Sequence, residues 1–282
     1  MAELKPYRFG YYLWNYVPNI IAAILFAWIF ALLTITLLWK MCKTKTWYFT
    51  AFVIGGLCEH FHGSVEVIGF AARASAHSKT DQLMPFVIQN TFILLAPALF
   101  AASIYMILGR VIIACNGQAH SLVPMRWLTK TFVLGDVLSF TVQGGAAGLM
   151  ATGDNAALGE KIVVAGLFIQ IIIFGFFMVT TVVFHFRMSR HATVESQDPE
   201  VAWRQRLAIL YAVSILIMVR SVFRVAEFVQ GQEGYLLQNE WPIYVFDALL
   251  MALVMAAFVL RYPGTFGRHT PKSDSVLLRS WK

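Results

Sequence analysis

The feature of this sequence that most limits its fold is a series of apolar stretches, each about twenty residues long or longer. A helix of that length rises 1.5 Å per residue and crosses a lipid hydrocarbon core of about 30 Å. Only 13% of the residues are charged and 59% are hydrophobic, whereas about a quarter of the residues in a soluble domain are charged. The sequence therefore predicts an integral membrane protein.

The apolar stretches predict an all-α fold. A backbone inside lipid must satisfy its own hydrogen bonds, and these stretches are too long and too continuous for the alternating strands of a barrel. We predict a polytopic membrane protein with seven transmembrane helices, in one domain at 1–264, followed by a short basic tail at 265–282. The predicted helices are 17–39, 47–72, 85–114, 131–153, 161–186, 207–230 and 241–261.

Two local features refine the predicted helices. Pro97 lies inside the third helix and predicts a kink, because its ring nitrogen has no hydrogen to donate. Gly144, Gly145 and Gly148 lie in the fourth helix, where small residues are expected to let neighbouring helices approach closely.

The distribution of basic residues predicts the orientation. Fifteen Lys and Arg residues fall in the odd-numbered connections and the C-terminal tail, and five fall on the other side. The positive-inside rule therefore places the C-terminus in the cytosol and the N-terminus outside. The net charge of +7 is spread among the connections and forms no continuous basic surface, so we expect no nucleic-acid partner.

Ionisable residues inside the predicted helices are the candidate functional residues, because a charge at the bilayer centre costs a few kcal/mol. In the sixth helix, Arg220, Arg224 and Glu227 are spaced three and four residues apart and share one helix face. Their depths predict a polar cavity that opens outward, although buried ion pairs that only join helices are an alternative. The candidate ligand-binding residues are Glu66, Gln89, Asn90, Asp136, Gln143, Arg220, Arg224, Glu227 and Asp247, with Glu59, His62 and Glu240 as secondary candidates.

Several segments resemble the fungal RTA-like family, which is the lipid-translocating exporter family. The resemblance runs in order from the second predicted helix to the seventh. In the second helix, residues 66–73 (EVIGFAAR) are similar to the family element Glu-x-Ile-Gly-Tyr-x-x-Arg, with Phe70 in place of Tyr. The other segments are QNTFILLAPALFAASIY at 89–105, DVLSFTVQGG at 136–145, RSVFRVAE at 220–227, and the stretch from Glu240 through Tyr244 and Asp247 to Gly264.

The resemblance implies a seven-helix membrane protein linked to export of sphingoid long-chain bases, to resistance against amphiphilic toxins or, in one branch, to porphyrin and haem handling. We therefore predict a transporter or floppase, not an enzyme, with membrane lipids and an amphiphile as partners, in the plasma membrane. A carboxylate among Glu66, Glu227 and Asp247 would hold an amine headgroup. No cofactor and no metal are expected. The chain has no Walker motif, so transport would be downhill, coupled to an ion or driven by a partner.

Three other functions fit parts of the sequence. A seven-helix lipid receptor fits the topology, although the seventh helix has neither a retinal-binding lysine nor an Asn-Pro-x-x-Tyr motif. A zinc-dependent intramembrane hydrolase would use Glu59, His60, His62 and Glu66, but His60 and His62 point about 200° apart on one helix. His62 is also the candidate axial ligand for haem. Glu59 and His62 are not part of the family pattern.

Overall fold

The computed structural model describes residues 16, 18–44, 65–76, 83–152, 156–197, 201–231 and 234–262. These residues form α-helices joined by short turns, and no strand occurs among them. The all-α prediction is therefore confirmed for the described part of the chain. The main helices are α1 (Ile20–Thr44), α2 (Val65–Ala76), α3 (Leu83–Ala114), α4 (Met125–Thr152), α5 (Ala156–Arg190), α6 (Trp203–Val229) and α7 (Trp241–Leu260).

Within the described ranges, five helices are long and apolar enough to cross a membrane. They are α1, the Thr91–Ala114 part of α3, the Leu158–Arg190 part of α5, α6 and α7. Helix α4 is more polar, because it carries Arg126, Lys130 and Asp136. The described part of α2 has only 12 residues. Since residues 45–64 lie outside the described ranges, the number seven stays a prediction.

The helices bury one face and turn an apolar face outward. Helix α4 packs between α3 and α5, α6 packs against α3, α5 and α7, and α1 packs against α2 and α7. On α1, Phe30 and Leu37 are fully buried, whereas Ile21, Trp28 and Leu32 are 76%, 65% and 60% exposed. An exposed apolar face of this kind is suited to lipid and not to water. The described exterior thus supports a membrane location.

Contacts at the helix ends sort into two groups. At one end, Glu240 at the start of α7 contacts Asn19 before α1 and Arg73 near the end of α2. At the other end, the Nζ of Lys40 donates to the carbonyl of Val259, and Thr193 Oγ1 donates to the carbonyl of Cys115 at 2.6 Å. We call these the predicted outer end and the predicted inner end. Which end faces the cytosol stays a prediction.

A glycine at a close contact between described helices is not one of those that the sequence predicts. A methyl group added at Gly144 or Gly145 would meet nothing within 4 Å, and both residues are exposed. The prediction that these two glycines lie at contacts between helices is therefore wrong for the described helices. Gly166 of α5 instead packs on α4, where an added methyl carbon would lie 2.8 Å from Cγ of Gln143 and 3.3 Å from the carbonyl oxygen of Ser139.

The α4–α5 crossing predicts that Gly166→Ala destabilises the protein. The new methyl group overpacks the crossing, which costs about 1–3 kcal/mol and outweighs the gain of about 1 kcal/mol in helix propensity. We expect a lower unfolding temperature for the purified protein in detergent. Gly145→Ala is the matched control, since it adds the same methyl group where nothing is in contact. Equal unfolding temperatures for the two variants would contradict this account of the crossing.

The two described cysteines predict a direct test of orientation. Cys42 is exposed near the end of α1, whereas Cys115 is buried after the end of α3. Burial raises the pKa of the Cys115 thiol to about 12, and only the thiolate reacts with maleimides. In a Cys58→Ser background, a membrane-impermeant maleimide should label Cys42 only after the membrane is permeabilised. Labelling of Cys42 in intact cells would show that the orientation is opposite to the predicted one. As a control, Cys42→Ser should abolish the signal.

Candidate functional site

The centre of the candidate site is the guanidinium of Arg220, which is 2% exposed in the middle of α6. Its Nε donates to Oδ1 of Asp247 in α7, and its Nη2 donates to the carbonyl oxygen of Ile93 in α3 at 2.9 Å. In a regular helix that carbonyl would accept from the N–H four residues later. The residue there is Pro97, which has no N–H. The proline thus leaves an acceptor inside the helix bundle, and Arg220 uses it.

Asp247 reaches Arg220 from an irregular part of α7. Residues Tyr244–Leu249 form a π-helix between the α-helical ends of α7. Such single π-turns are rare and frequently occur at functional sites. Asp247 is 1% exposed, so its charge is stabilised by its partners in the protein and not by water. The ion pair therefore depends on backbone irregularities in both neighbouring helices, a proline in α3 and a π-turn in α7.

A second buried pair lies one helical turn from the first. Nη1 of Arg224 donates to Oε2 of Glu227 at 2.7 Å within α6. Helices α3 and α6 run in opposite directions, and Arg220 is paired with Ile93. One turn further toward the predicted outer end, Arg224 on α6 is therefore level with Gln89 on α3. The side chains of Arg224, Glu227 and Gln89 are all buried.

Three polar atoms of this buried group make no hydrogen bond within the described part of the chain. They are Oδ2 of Asp247, Oε1 of Gln89 and Nε of Arg224. Burying such an atom without a partner costs about 1–3 kcal/mol, so native proteins normally satisfy it. Two of the three are acceptors and one is a donor. This group of side chains is therefore suited to a ligand that supplies both kinds of hydrogen bond.

A second set of contacts closes the predicted outer end. Arg73 Nη2 donates to Tyr16 Oη at 2.9 Å and to Oε1 of Glu240 at 2.8 Å, and Arg73 Nε donates to Tyr244 Oη at 3.1 Å. Both oxygens of Glu240 also accept from the backbone N–H of Asn19. We call these five residues the outer cap. The outer cap joins the start of α1, the end of α2 and the start of α7.

Asp136 and Gln143 belong to a different polar group, between α3, α4 and α5. Tyr105 Oη donates to Oδ2 of Asp136 at 2.8 Å. One turn along α4, Ser139 Oγ donates to the carbonyl oxygen of Gly166. Gln143 Nε2 then donates to Ser139 Oγ at 2.9 Å and to Oε1 of Gln170 at 3.2 Å. Within the described ranges, none of these contacts reaches the Arg220 group, so the predicted site residues divide into two groups.

The structure thus brings together four of the predicted residues and places others elsewhere. Glu240 belongs to the outer cap. Glu66 is a residue of α2, and Asn90 is a residue of α3. Glu59 and His62 lie outside the described residues, as do His60 and the rest of 45–64. Among the described residues, no group of His, Cys, Asp and Glu is placed to hold a metal. The residues brought together are Arg220, Arg224, Glu227 and Asp247, and Gln89 is buried on α3 at the level of Arg224.

Sequence reasoning missed Arg73, Tyr16 and Tyr244 as site residues. The second helix was predicted to end at residue 72, so Arg73 counted as a connection residue, but α2 continues to Ala76. Its side chain is fully buried, and its guanidinium carbon lies 5.5 Å and 5.3 Å from the ring centres of Tyr16 and Tyr244. The position of Arg73 near the end of a helix carries no signal of burial, and the signal that could have found it is its place at the end of the family-like element at 66–73.

The described fold and the buried ion pairs define a helical membrane protein with a polar interior, and comparison with known proteins identifies its family. The family model described as "RTA1 like protein" matches residues 60–270. That range covers most of the chain, which therefore belongs to the RTA1-like family. The resemblance seen in the sequence is confirmed, and the chain is an integral membrane protein.

Relatives of the chain occur in Saccharomyces cerevisiae, and two of the following three have names that describe a function. "Protein RTA1" is 35% identical over 272 residues, covering 90% of this chain and 86% of the relative. "Protoporphyrin uptake protein 1" is 40% identical over 194 residues, covering 69% of this chain and 64% of the relative. "Sphingoid long-chain base transporter RSB1" is 26% identical over 285 residues, covering 88% and 72%. No solved structure shows a significant match.

The ion pair between Arg220 and Asp247 predicts a non-additive mutational effect. Arg220→Met leaves the Asp247 carboxylate buried without its cation, which costs about 3–5 kcal/mol. Arg220→Met combined with Asp247→Leu removes both charges and should recover part of the loss. We expect the double variant to unfold at a higher temperature than Arg220→Met alone. A double variant that loses the sum of the two single effects would show that the residues do not interact.

Proposed function

We propose that this protein transports an amphiphile with a cationic headgroup, such as a sphingoid long-chain base, across the membrane. The headgroup would bind the group formed by Gln89, Arg220, Arg224, Glu227 and Asp247. The observation that carries this proposal is a pair of buried acceptors that have no hydrogen-bond partner among the described residues, Oδ2 of Asp247 and Oε1 of Gln89. An ammonium group has only donors and matches both acceptors.

The charges of the group favour a ligand with a mixed headgroup. Two arginines face two carboxylates, so the group is neutral as a whole. A cation at Oδ2 of Asp247 would leave Oδ1 with Arg220 and would not need to break that ion pair. Nε of Arg224 is a donor without a partner and matches an acceptor such as a hydroxyl oxygen. An amine beside a hydroxyl group supplies both chemistries, while the hydrocarbon chain would lie between helices.

Access to the group requires a conformational change. Each of the five residues is at most 4% exposed, so this conformation is closed at the binding residues. The outer cap joins α1, α2 and α7 on the predicted outer side of the group. We propose that the outward-opening cavity forms when the contacts of Arg73 with Glu240 and Tyr16 break. The plasma membrane is the proposed location, since an exporter of toxic amphiphiles acts there.

A porphyrin is the second candidate substrate. The relative named as a protoporphyrin uptake protein is 40% identical, compared with 26% for the sphingoid base transporter. A porphyrin carries carboxylates, which would bind Arg224 and not Asp247. The two substrates therefore depend on opposite charges of the same group. The names of these two relatives describe uptake and transport.

Gln89→Leu tests the proposal without breaking any ion pair. It removes one acceptor that would bind the ammonium group, and a hydrogen bond to a charged group contributes about 1.5–3 kcal/mol. Flux of a labelled sphingoid base into proteoliposomes should fall about tenfold or more at low substrate concentration. Native mass spectrometry should show the bound lipid in the unmodified protein and its loss in the variant.

Gln205→Leu is the matched control, because Gln205 is exposed at the start of α6. It should transport and bind lipid like the unmodified protein. Identical flux for Gln89→Leu and Gln205→Leu would contradict the proposed headgroup site. A bound porphyrin that is retained in Gln89→Leu and lost in Arg224→Ala would instead support the second candidate.

A further inference from the structure

The second polar group contains a carboxyl in an unusual position. Asp136 is 4% exposed in α4, and its one hydrogen bond with a described residue comes from Tyr105 Oη. The ring of Tyr105 packs against Phe132 and Phe177, with ring centres 5.2 Å and 4.6 Å away. Phe174 lies 6.3 Å from the same ring. The carboxyl of Asp136 is thus held by a single neutral donor whose own surroundings are aromatic.

No cation faces Asp136 in the described part of the chain, where the ion pairs involve Asp247, Glu227 and Glu240. Helices α3 and α5 pack against α4. Gly135 is level with Ile173 of α5, and the nearest titratable residues of α5, Lys161 and His185, are each 12 residues away, or about 18 Å.

Helix α3 presents Tyr105 to Asp136, and its other titratable residue is Arg110. Arg110 is five residues further along α3 and points about 140° away from Tyr105 around the helix. On α4 itself, Lys130 lies six residues before Asp136, is exposed and points about 120° away from it. Asp136 therefore differs from Asp247, which has an arginine in contact.

An ionised carboxylate buried without a cation is strongly disfavoured, and a group in this position takes a proton instead. As a neutral acid, Asp136 has a carbonyl oxygen that accepts from Tyr105. Its hydroxyl group costs less free energy to bury in an apolar interior than a carboxylate does. The hydrogen-bonded side chains of Ser139, Gln143 and Gln170 continue from Asp136 along α4 toward the predicted outer end. In the other direction, the start of α4 is 11 residues away, or about 16 Å.

We propose that Asp136 and Tyr105 form a proton-binding site that is separate from the headgroup site. In the closed conformation, Asp136 holds the proton as a carboxylic acid. When the surrounding helices separate, water reaches the carboxyl, the O–H bond breaks, and the proton passes to water while the carboxylate remains. Cyclic binding and release of this proton would couple transport to a proton gradient. The coupling rests on the proposed transport function, whereas the proton site does not.

Infrared spectroscopy of the purified protein in lipid nanodiscs tests the proton site without any substrate. We expect a carbonyl stretching band of a protonated carboxylic acid at neutral pH. The band should be lost in Asp136→Asn and should move to a higher wavenumber in Tyr105→Phe, because the hydrogen bond to the carbonyl oxygen is removed. Glu195→Gln, at an exposed carboxylate near the predicted inner end, should leave the band unchanged.

The same spectra contain the results that would overturn the proton site. The proton site would be overturned if the protonated-acid band were still present in the spectrum of Asp136→Asn. If Asp136→Asn does not fold, Tyr105→Phe decides the question, since an unshifted band in that variant would equally overturn the site.

Proteoliposomes with an imposed pH gradient test the coupling separately. Flux of a labelled sphingoid base should respond to the gradient in the unmodified protein and lose that response in Asp136→Asn. Flux that is the same with and without the gradient would overturn the coupling and leave the proposed transport function intact. The absence of any flux, together with the infrared band, would overturn the transport function and leave the proton site standing.

Discussion

The buried guanidinium of Arg220 is the group on which the interior of this protein depends. A charge that is removed from water and lipid headgroups must find its hydrogen-bond partners inside the protein. Arg220 finds a carboxylate on α7 and a backbone carbonyl on α3. That carbonyl is available because Pro97 cannot donate to it. A residue that is usually unfavourable inside a helix therefore has a use here, since it supplies an acceptor where side chains of α3 are apolar.

Helix α3 links the two polar groups of the interior. Its backbone contacts α6 at Ile93, and its side chain contacts α4 at Tyr105, 12 residues further along. These two points are about 18 Å apart along the axis and lie on different sides of the helix. A tilt of α3 would change both contacts together. The separation of the proposed headgroup site from the proposed proton site is thus compatible with a mechanical connection between them.

The sequence was sufficient to predict the helices of the described ranges, because length and apolarity alone decide whether a segment can cross lipid. It also identified Arg220, Arg224, Glu227 and Asp247, since charges are conspicuous in apolar stretches. It did not predict which residues pair. Spacing places residues on a face, but the rotation of each helix decides which neighbour that face meets. Asp136 therefore joined Tyr105 and not the arginines, and Gly166 rather than Gly145 lies at the α4–α5 crossing.

The π-turn in α7 has a mechanical consequence for the closed state. A π-turn holds one more residue than an α-helical turn, and converting it would shift the flanking helix by about 1.5 Å and rotate it by about 100°. Glu240 and Tyr244 of the outer cap lie before or at the start of this turn, and Asp247 lies inside it. A change of one residue in helical register would therefore displace the cap contacts and the partner of Arg220 in a single movement. Rotation and translation of helix α7 would then break the outer-cap contacts and the Arg220–Asp247 ion pair together, without any helix unfolding.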